Sequence, residues 1–501
     1  MQTTIMHRNS FQYYDHLGFF SPYYYMSNDG GVYFDQNFSK ILTQFGSPLI
    51  IDPVAIAEVL SKRFMLGDRT LIQNVFRTPG LASFDQEKSE WMHLDIPKYQ
   101  NRFESNEFIA EGLFALLCEE VKKYVGNSKS VGILLSGGMD SRMVAGVLDF
   151  LIRSQQLEVT SVTAYTWGND DCRDVVYAET ISKRLGWLWK RFTVSSSDLW
   201  ENFKIAGYRG CEYSGIHLHA IPQIIKEANV EVILAGSYGD SIGRGEYEGI
   251  HIDRLTPIDI GFRNFGNLLK YKVYSEIKNL WQEDIIKYRT QYKGIKSYQQ
   301  NELDYQLHYM RRMLNPCMEL INEVIPTYQV FSSPAVYQFM WSFDSKCRND
   351  SIYLYLMKLF KTQLDDIPWA RTGLPYGTFQ GEPDRYSKKH NSYSSFIQND
   401  LINKIESRVN SYRIEKLSIF NKEAIRFLIK LIRTYPNYNI DYLERLTWLV
   451  SLDYFLEEHE DIKVKVVRES FVDYFTTYLY MPMRYLALRK FRTIQYKLDR
   501  K

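Results

Sequence analysis

The chain lacks the features of secreted, membrane-spanning and strongly charged proteins. Its five cysteines are scattered, with no Cys-x-x-Cys pair, so they do not indicate a disulfide framework and are expected to be reduced. No stretch of about 18 apolar residues occurs, and the amino terminus lacks the apolar core of a secretion signal. The 61 Lys and Arg residues nearly balance 59 Asp and Glu. We therefore expect a cytoplasmic protein without a membrane span or a nucleic-acid partner.

What is present is a chain of ordinary composition, 501 residues long and 45% hydrophobic. At about 100–200 residues per domain, this length predicts two to four domains. The first hundred residues have the pattern of short strands and turns, with a hairpin-like signal at 29–36 and a helix at 51–64. A second helix is predicted at 106–124.

From residue 131 the pattern changes to short apolar runs alternating with helices. The predicted strands are VGILL (131–135), VTSVTAY (159–165), WKRFTV (189–194) and VEVILAG (230–236). Helices are predicted from Ser141 to about Ile152 and from about Asp174 to Leu185. This alternation is typical of a parallel, doubly wound α/β sheet with right-handed crossovers. From about residue 260 onward the pattern is mainly helical.

The clearest pattern of a ligand-binding site lies in the segment VGILLSGGMDSRMVAGVLDF (131–150). After the strand ends at Leu135, the small residues Ser136, Gly137 and Gly138 let the backbone turn sharply and approach a ligand. The helix that follows presents free N–H groups, and such a helix start binds phosphate. A carboxylate beside phosphate repels it unless a divalent cation lies between them. Asp140 therefore predicts a Mg²⁺ site with this residue as one ligand.

Other phosphate-binding loops do not fit this segment. GxxxxGK[ST] and GxGxxG are both absent from it, which disfavours a Walker-type site and NAD. A Gly-Gly turn also arises for structural reasons alone, so two glycines by themselves are weak evidence for a ligand-binding site. The complete strand, turn and helix together favour nucleotide binding.

The string SGGMDS (136–141) resembles the pyrophosphate-binding loop of the ATP pyrophosphatase superfamily. Its members typically cleave ATP between the α and β phosphates and adenylate a substrate. YTWGNDDCRDVVYAETISKRLGW (165–187) is similar to the next strand and helix of asparagine synthetase-like proteins. That similarity implies that Thr166, Trp167 and Gly168 lie near the adenine.

A third segment, ILAGSYGDSIGRGEY (233–247), resembles a degenerate form of the family's SGDGADELFGGY. On this match, Gly236 lies near the nucleotide and Asp240 is the second Mg²⁺ ligand, opposite Asp140. Weaker resemblance extends over 48–90 and 330–373. It implies three parts, namely a degenerate glutaminase-like remnant at 1–105, an asparagine synthetase-like domain at 106–400 and a helical extension at 401–501.

The chain departs from the family's pattern at several positions. No cysteine precedes Cys118, whereas glutamine-dependent members use an amino-terminal cysteine as nucleophile, so we expect no glutamine hydrolysis. Ser237 and Ser241 replace two acidic residues, and the family's lysine is missing, with Arg371 the nearest basic candidate. Three neighbouring side chains could either supply a replacement base or be structural, and both interpretations stay open. They are Tyr238, Glu246 and Tyr247.

The resemblance implies an ATP-dependent, AMP-forming amide-bond ligase that joins a small-molecule or peptide carboxylate to an amine or to ammonia from a separate source. The expected catalytic residues are Asp140, Asp240 and Arg371, with ATP and Mg²⁺ as cofactors. The expected nucleotide-binding residues are Leu135, Ser136, Gly137, Gly138, Asp140, Ser141, Thr166, Trp167 and Gly236. One alternative is a specialised amidotransferase or cyclase for a natural product or surface polysaccharide. Another is a decayed nucleotide-binding or assembly protein.

Two further segments carry predictions. Residues 371–393 are rich in Gly, Pro and charge without periodicity, which predicts a long loop of the kind that forms lids or stays disordered. The last eighteen residues, 484–501, hold seven basic side chains and one acidic one. A solvated basic face on a terminal helix is the favoured interpretation, with a membrane-surface or nucleic-acid role as the alternative.

Overall fold

The fold is an α/β arrangement around one parallel sheet, seen in a computed structural model. The structure describes residues 14–15, 17, 21–27, 30–85, 87–94, 99–292, 295–378, 380–434, 440–463 and 470–483. The strands are β1 (Tyr14–Asp15), β2 (Tyr23–Met26), β3 (Val32–Asp35), β4 (Phe76–Arg77), β5 (Ala82–Asp85), β6 (Glu90–His93), β7 (Ser130–Leu134), β8 (Ser161–Trp167), β9 (Leu188–Phe192), β10 (Val232–Ala235), β11 (Glu246–Tyr247), β12 (Ile250–His251) and β13 (Thr327–Gln329).

The α-helices lie between and after these strands. They are α1 (Phe38–Gln44), α2 (Pro53–Lys62), α3 (Asn106–Val125), α4 (Met139–Arg153), α5 (Arg173–Leu185), α6 (Ser196–Tyr208), α7 (Ile221–Glu227), α8 (Tyr271–Ile277), α9 (Trp281–Arg289), α10 (Ser297–Asp304), α11 (Asn315–Asn322), α12 (Pro334–Trp341), α13 (Ser351–Met357), α14 (Tyr393–Phe396), α15 (Ile402–Val409), α16 (Tyr412–Leu417), α17 (Lys422–Thr434), α18 (Ile440–Glu458) and α19 (Phe471–Phe475). Short 3₁₀ and π turns join several of them.

The central sheet has the strand order β13-β10-β7-β8-β9, and all its neighbours are parallel. Ile133 in β7 lies opposite Leu234 of β10 and Ala164 of β8. After β7 the chain adds β8 and β9 on one side, and it then crosses to add β10 and β13 on the other. The switch in direction therefore lies between β7 and β10, and the crevice at their carboxyl ends is where sheets of this kind bind ligands.

The predicted α/β class with a parallel sheet is confirmed, as is the small β-rich amino-terminal region. The predicted strands at 131–135, 159–165, 189–194 and 230–236 correspond to β7, β8, β9 and β10, with ends that differ by one or two residues. The sequence did not predict β13, since its three residues are too few to show a periodic pattern.

The amino-terminal region contains two small antiparallel sheets, ordered β1-β5-β6 and β3-β2-β4. The hairpin predicted at 29–36 falls partly outside the described residues, but β3 does pair antiparallel with β2. Helix α2 begins as predicted, because the Asp52 carboxylate accepts a hydrogen bond from the Val54 amide at 2.9 Å.

The hydrophobic core does not separate the three predicted parts. One cluster of buried side chains joins Tyr23 of the amino-terminal region, Leu134 of the central sheet and Trp448 of α18. The three-part division at 105 and 400 stays a proposal. Residues 484–501, with the predicted basic face, lie outside the described residues. None of the helices described is both long enough and apolar enough to cross a membrane.

Trp448 anchors the carboxyl-terminal helices to the rest of the protein, and its indole N–H donates to the Cys211 carbonyl at 2.7 Å. Replacing the fully buried Trp448 with Ala leaves a cavity and an unpaired carbonyl, so we expect about 3–5 kcal/mol less stability in urea unfolding. As a control, Tyr412→Ala at an exposed position changes stability by less than about 0.5 kcal/mol. Equal stability of both variants would contradict this role of Trp448.

Candidate functional site

The loop between β7 and α4 forms the centre of the candidate site. The Ser136 amide donates to the Ser141 hydroxyl at 3.2 Å, and the Gly138 amide donates to the Ser136 hydroxyl at 3.1 Å. Gly138 is the N-cap of α4, and no side chain caps this helix. The first-turn amides of α4 therefore stay available to an anion, as the sequence predicts.

Gly137 is held between two neighbouring elements. A Cβ atom at this position would lie 2.9 Å from the Arg173 carbonyl oxygen and 3.1 Å from the Asp174 Cα, so only glycine fits. The Gly137 carbonyl accepts hydrogen bonds from the Arg142 guanidinium at 3.3 Å and from the Ala370 amide at 3.2 Å. These contacts fix the loop from behind, away from the crevice.

The end of β10 packs directly on the start of α4. A Cβ atom at Gly236 would lie 2.5 Å from the Ser141 amide nitrogen. Likewise, a Cβ atom at Gly239 would lie 2.5 Å from the Asp140 Cβ. The chain segments that follow β7 and β10 thus touch at the switch point. Any residue larger than glycine at position 236 or 239 would push them apart.

Asp140 and Asp240 form a partly buried carboxylate pair. Burial raises the pKa of Asp140, and the nearby Arg244 guanidinium opposes this rise. Burial and then the negative charge of Asp140 raise the pKa of Asp240 to about 7. The Asp240 carboxylate accepts a hydrogen bond from the Ser241 amide at 2.8 Å. Two carboxylates that repel each other are stabilised when a cation binds to both.

Arg244 is a buried cation next to this pair, and the sequence analysis missed it. Its Nε lies 3.4 Å from the Asp140 carboxylate, and its Nη1 contacts Glu246 at 3.1 Å and Asp350 at 2.8 Å. The guanidinium also lies 5.5 Å from the ring centroid of Tyr353. A charged residue between the glycines of GRG, just after a predicted site strand, was the available signal.

Arg371 lies on the outer side of the same cluster. Its guanidinium donates to Glu246 at 2.9 Å and lies 4.4 Å from the ring centroid of Trp369. Its positive charge lowers the pKa values of Asp140 and Asp240, although burial outweighs this effect. The structure therefore brings together all three residues predicted to be catalytic.

A cavity of about 350 Å³ opens beside the loop. The predicted site residues that line it are Leu135, Ser136, Gly138, Asp140, Ser141, Thr166, Trp167 and Gly236. Gly137, Asp240 and Arg371 do not line it. Its far wall is apolar and comes from the helical segment after α10, with Met313, Leu314, Cys317 and Met318. The cavity is therefore lined both by polar residues of the loop and by apolar side chains.

The end of β8 forms one side of the cavity. The Thr166 hydroxyl donates to the Leu135 carbonyl at 2.8 Å and accepts from the Trp189 indole at 3.2 Å, so it ties β8 to β7. The Trp167 ring stacks on His219, with 5.7 Å between the ring centroids and 22° between the planes. These two rings form a flat wall suited to a planar base.

Three histidines in the cavity were also missed. They are His217, His219 and His390. Burial, together with the charges of the other two, lowers the pKa of His219 to about 3, so its ring is neutral at physiological pH. Its Nδ1 lies 3.1 Å from the Tyr393 hydroxyl. The HLH string at 217–219 was the signal, but these histidines meet His390 only in the folded chain.

The three side chains that could supply a replacement base, Tyr238, Glu246 and Tyr247, all have partners within the protein. The Tyr238 hydroxyl donates to the Leu17 carbonyl at 3.0 Å, and the Tyr247 hydroxyl donates to the Glu302 carbonyl at 3.3 Å. Glu246 pairs with Arg244 and Arg371. These contacts favour the structural interpretation for both tyrosines.

The two serines that replace acidic residues have different positions. Ser237 lines the cavity, whereas Ser241 is fully buried and its hydroxyl accepts from the Gln306 side chain at 3.0 Å. Ser241 is thus part of the packing under the site.

The segment 371–393, described here except for residue 379, is an irregular loop tied to α5, as its composition predicts. Asp384 accepts hydrogen bonds from Arg173, at 3.1 Å, and from the Tyr177 hydroxyl. The Asn169 amide donates to the His390 carbonyl at 3.0 Å. These contacts place His390 in the cavity wall, 3.8 Å from the Asp174 carboxylate.

The donor set fits a divalent cation that shares its coordination with a ligand. The Oδ1 oxygen of Asp140 is buried and has the Arg244 Nε at 3.4 Å as an ion-pair partner but accepts no hydrogen bond. Among the residues that the structure describes, no group of three or more His, Cys, Asp or Glu side chains could hold a metal by itself. Mg²⁺ usually takes only one or two carboxylates and completes its octahedron with water and phosphate oxygens. Asp140 and Asp240 therefore suit Mg²⁺ bound together with a phosphate ligand.

Comparison with solved structures gives distant similarities. An NMN synthetase from Francisella tularensis has 16% identity over 44% of this chain and 93% of its own, with a TM-score of 0.20. A glutamine-dependent NAD⁺ synthetase from Acinetobacter baumannii, in complex with ADP, has 14% identity over 54% and 64%, with a TM-score of 0.21. A U34-tRNA thiolase from Methanococcus maripaludis with its [4Fe-4S] cluster has 14% identity over 46% and 77%, with a TM-score of 0.20.

A search of curated protein sequences finds no match. A scan against family models, in contrast, matches residues 113–312 to asparagine synthase. This range contains β7, β8, β9 and β10 and the whole loop that follows β7. The family confirms the resemblance inferred from SGGMDS. Residues 113–312 of the chain are thus similar to the asparagine synthase family.

Proposed function

We propose that the protein adenylates a carboxylate substrate with ATP and transfers the acyl group to an amine or ammonia, releasing AMP and pyrophosphate. The observation that carries this proposal is the meeting of the loop after β7 with Gly236 after β10, beside a cavity of about 350 Å³. That arrangement offers backbone amides to phosphates and places a stacking wall in the same cavity.

The reaction has two balanced steps. In the first, a carboxylate oxygen of the substrate attacks the α-phosphorus of ATP, and the bond from that phosphorus to the bridging oxygen breaks. Pyrophosphate leaves with the negative charge of that oxygen. In the second, the amine nitrogen attacks the acyl carbon and loses a proton to solvent water, and the bond from the acyl carbon to the phosphate oxygen breaks, so that AMP leaves with the electron pair of that bond. Stabilising the charge on the departing pyrophosphate is the main contribution expected of the protein.

The first turn of α4 is placed to stabilise that charge. Gly138 leaves the helix start uncapped, and Ser136 and Ser141 place hydroxyl groups at the cavity wall. Trp167 and the neutral His219 ring offer a stacking surface for the adenine. The apolar wall at Met313 and Met318 suits either the nucleoside or an apolar part of the substrate.

Asp140 and Asp240 are the residues we propose to hold Mg²⁺, which when bound would neutralise phosphate charge. Around them, Arg244 and Arg371 supply fixed positive charge that does not depend on a metal. Since an arginine stays protonated, neither is proposed as a proton acceptor. Their proposed role is to orient the carboxylates and to stabilise anionic groups at the crevice.

We also propose that the protein does not hydrolyse glutamine. Burial raises the pKa of the Cys118 thiol to about 12 and also raises the thiol pKa values of Cys172, Cys211 and Cys317. A thiol is an effective nucleophile only as thiolate, so these four are poor candidates for it. The amino-terminal region is then a scaffold remnant of a glutaminase-like domain, and nitrogen comes from free ammonia, another subunit or the acceptor itself.

One observation favours a second function. The Arg244 guanidinium, 3.4 Å from Asp140, partly neutralises this carboxylate without a metal. This arrangement suits a protein that binds nucleotide without turnover, descended from an active ligase. Binding of ATP without pyrophosphate exchange across a panel of carboxylates would support that alternative.

Asp140→Asn tests the proposed chemistry. Since the amide cannot bind Mg²⁺ as a carboxylate does, we expect substrate-dependent pyrophosphate–ATP exchange to fall at least about 100-fold. The matched control is Asp461→Asn at an exposed position, which keeps full exchange. Exchange that survives Asp140→Asn would contradict the mechanism.

Arg371→Ala tests the charge at the outer side of the cluster. Because Arg371 is half-buried, the variant is expected to fold normally and to lose roughly 10- to 100-fold in exchange rate. Arg385→Ala, which removes an exposed arginine from the same loop, is the control and keeps the rate. An unchanged rate in both variants would exclude Arg371 from the reaction.

Nitrogen sources give a third test. With an accepted carboxylate and ATP, product is expected with ammonium or an amine, and glutamine alone is expected to yield neither product nor glutamate. Glutamate release from glutamine, measured by an enzyme-coupled assay, would show that the protein has a glutaminase site after all.

A further inference from the structure

A two-residue turn places Glu248 at the rim of the candidate site. Strands β11 and β12 pair antiparallel, with Tyr247 opposite Ile250, so Glu248 and Gly249 form the turn between them. Both have a positive φ, 50° at Glu248 and 86° at Gly249, which is the pattern of a type I′ turn. Asn, Asp or Gly is strongly preferred at the first of these positions. A glutamate is unfavourable there, so the turn by itself does not account for this residue.

The Glu248 side chain is held at the cavity by a hydrogen bond. Its carboxylate accepts from the Tyr309 hydroxyl at 2.5 Å, and Tyr309 lines the cavity together with Gly236 and Ser237. Burial and then the charge of Glu248 raise the pKa of the Tyr309 hydroxyl, and the charge of Asp240 adds to this rise. Tyr309 therefore links Glu248 to the part of the site that contains the carboxylate pair.

The Glu248 carboxylate lacks a cation, in contrast to its neighbours. Glu246, two residues earlier, pairs with Arg371 at 2.9 Å. The charge of Arg63 opposes the pKa rise at the tyrosine, but this arginine pairs with Glu444 at 3.9 Å. Glu248 is exposed and forms no ion pair with any residue that the structure describes. A carboxylate in this state at the rim of a cavity attracts a positively charged ligand.

Aromatic and apolar side chains lie next to the same hydroxyl. The centroid of the Tyr309 ring is 5.6 Å from that of Phe64 and 6.1 Å from that of Tyr305. Met313 and Met318 line the same cavity as Tyr309. Aromatic rings attract ammonium groups, and methionine packs on apolar carbon. A ligand suited to this place therefore combines a positive charge with a hydrocarbon part.

We propose that Glu248 and Tyr309 bind the ammonium group of an organic primary amine, which is the acceptor in the reaction. This inference rests on the proposed ligase function, and it narrows the second substrate to an amine that carries a hydrocarbon group. A primary amine is protonated at neutral pH, so its charged form is the one that arrives. The bound ammonium group loses one proton to solvent water before its nitrogen attacks the acyl carbon. Glu248 thus binds the acceptor and takes no part in forming the adenylate.

Titration calorimetry with the full-length protein tests this proposal without turnover. The probes are 2-phenylethylammonium chloride, the uncharged isostere 2-phenylethanol, and ammonium chloride. We expect the wild type to bind 2-phenylethylammonium about three- to tenfold more tightly than 2-phenylethanol, because only the cation pairs with the carboxylate. Ammonium chloride is expected to bind at least about tenfold more weakly than 2-phenylethylammonium, because it buries no hydrocarbon.

Two variants and a control separate the charge of Glu248 from the fold of the turn. Glu248→Gln keeps a hydrogen-bond acceptor for the Tyr309 hydroxyl but removes the charge, and it is expected to lose the preference for the cation over the alcohol. Glu248→Asn is expected to lose this preference as well, with an equal or higher melting temperature, because Asn suits the turn better. Glu283→Gln, at an exposed position on α9, is the control and keeps the wild-type preference.

Kinetics provide a second measurement, with an accepted carboxylate, ATP and 2-phenylethylamine. Glu248→Gln is expected to raise the KM for the amine about three- to tenfold with little change in kcat. Equal binding of cation and alcohol by the wild type, or binding of neither, would overturn the inference. So would a preference for the cation that survives Glu248→Gln. Pyrophosphate–ATP exchange involves no amine, so it tests the ligase proposal separately.

Discussion

The candidate site depends on the close approach of two backbone segments at the switch point of the sheet. Gly236 after β10 rests on the first turn of α4, where a Cβ atom would lie 2.5 Å from the Ser141 amide nitrogen. Gly137, on the other side of the loop, fits against the Arg173 carbonyl in the same way. Because both contacts exclude a side chain, the helix start points its free amides into one crevice. The cavity, the carboxylate pair and the stacking wall are all arranged around that helix start.

Charge balance is the second constraint on this site. Asp140 and Asp240 are partly buried near each other, and their mutual repulsion helps to raise the pKa of Asp240 to about 7. Arg244 offsets part of this repulsion from a position fixed by Glu246 and Asp350. A bound cation would offset the rest. The site is thus suited to a ligand that arrives with its own metal, which is how nucleotides usually bind Mg²⁺.

The sequence predicted those parts of the fold and of the candidate site that depend on a local residue pattern. SGGMDS predicted the loop after β7, and the alternation of strands and helices predicted the parallel sheet. The sequence offered a signal for Arg244 but not its partner, because Asp350 is 106 residues away. The meeting of His219 with His390 likewise depends on the loop after Arg371 folding back onto α5. Strand β13 is too short to give a periodic signal.

The central claim is that a nucleotide binds where Gly236 meets the start of α4. Titration calorimetry of Mg-ATP with the wild type and with Gly236→Ala tests it most directly. The added methyl group must push the loop away from β10, so the account predicts micromolar to millimolar binding by the wild type and at least about tenfold weaker binding by the variant, a change of about 1.4 kcal/mol or more. Equal affinity of the two proteins, or no binding by the wild type, would contradict it.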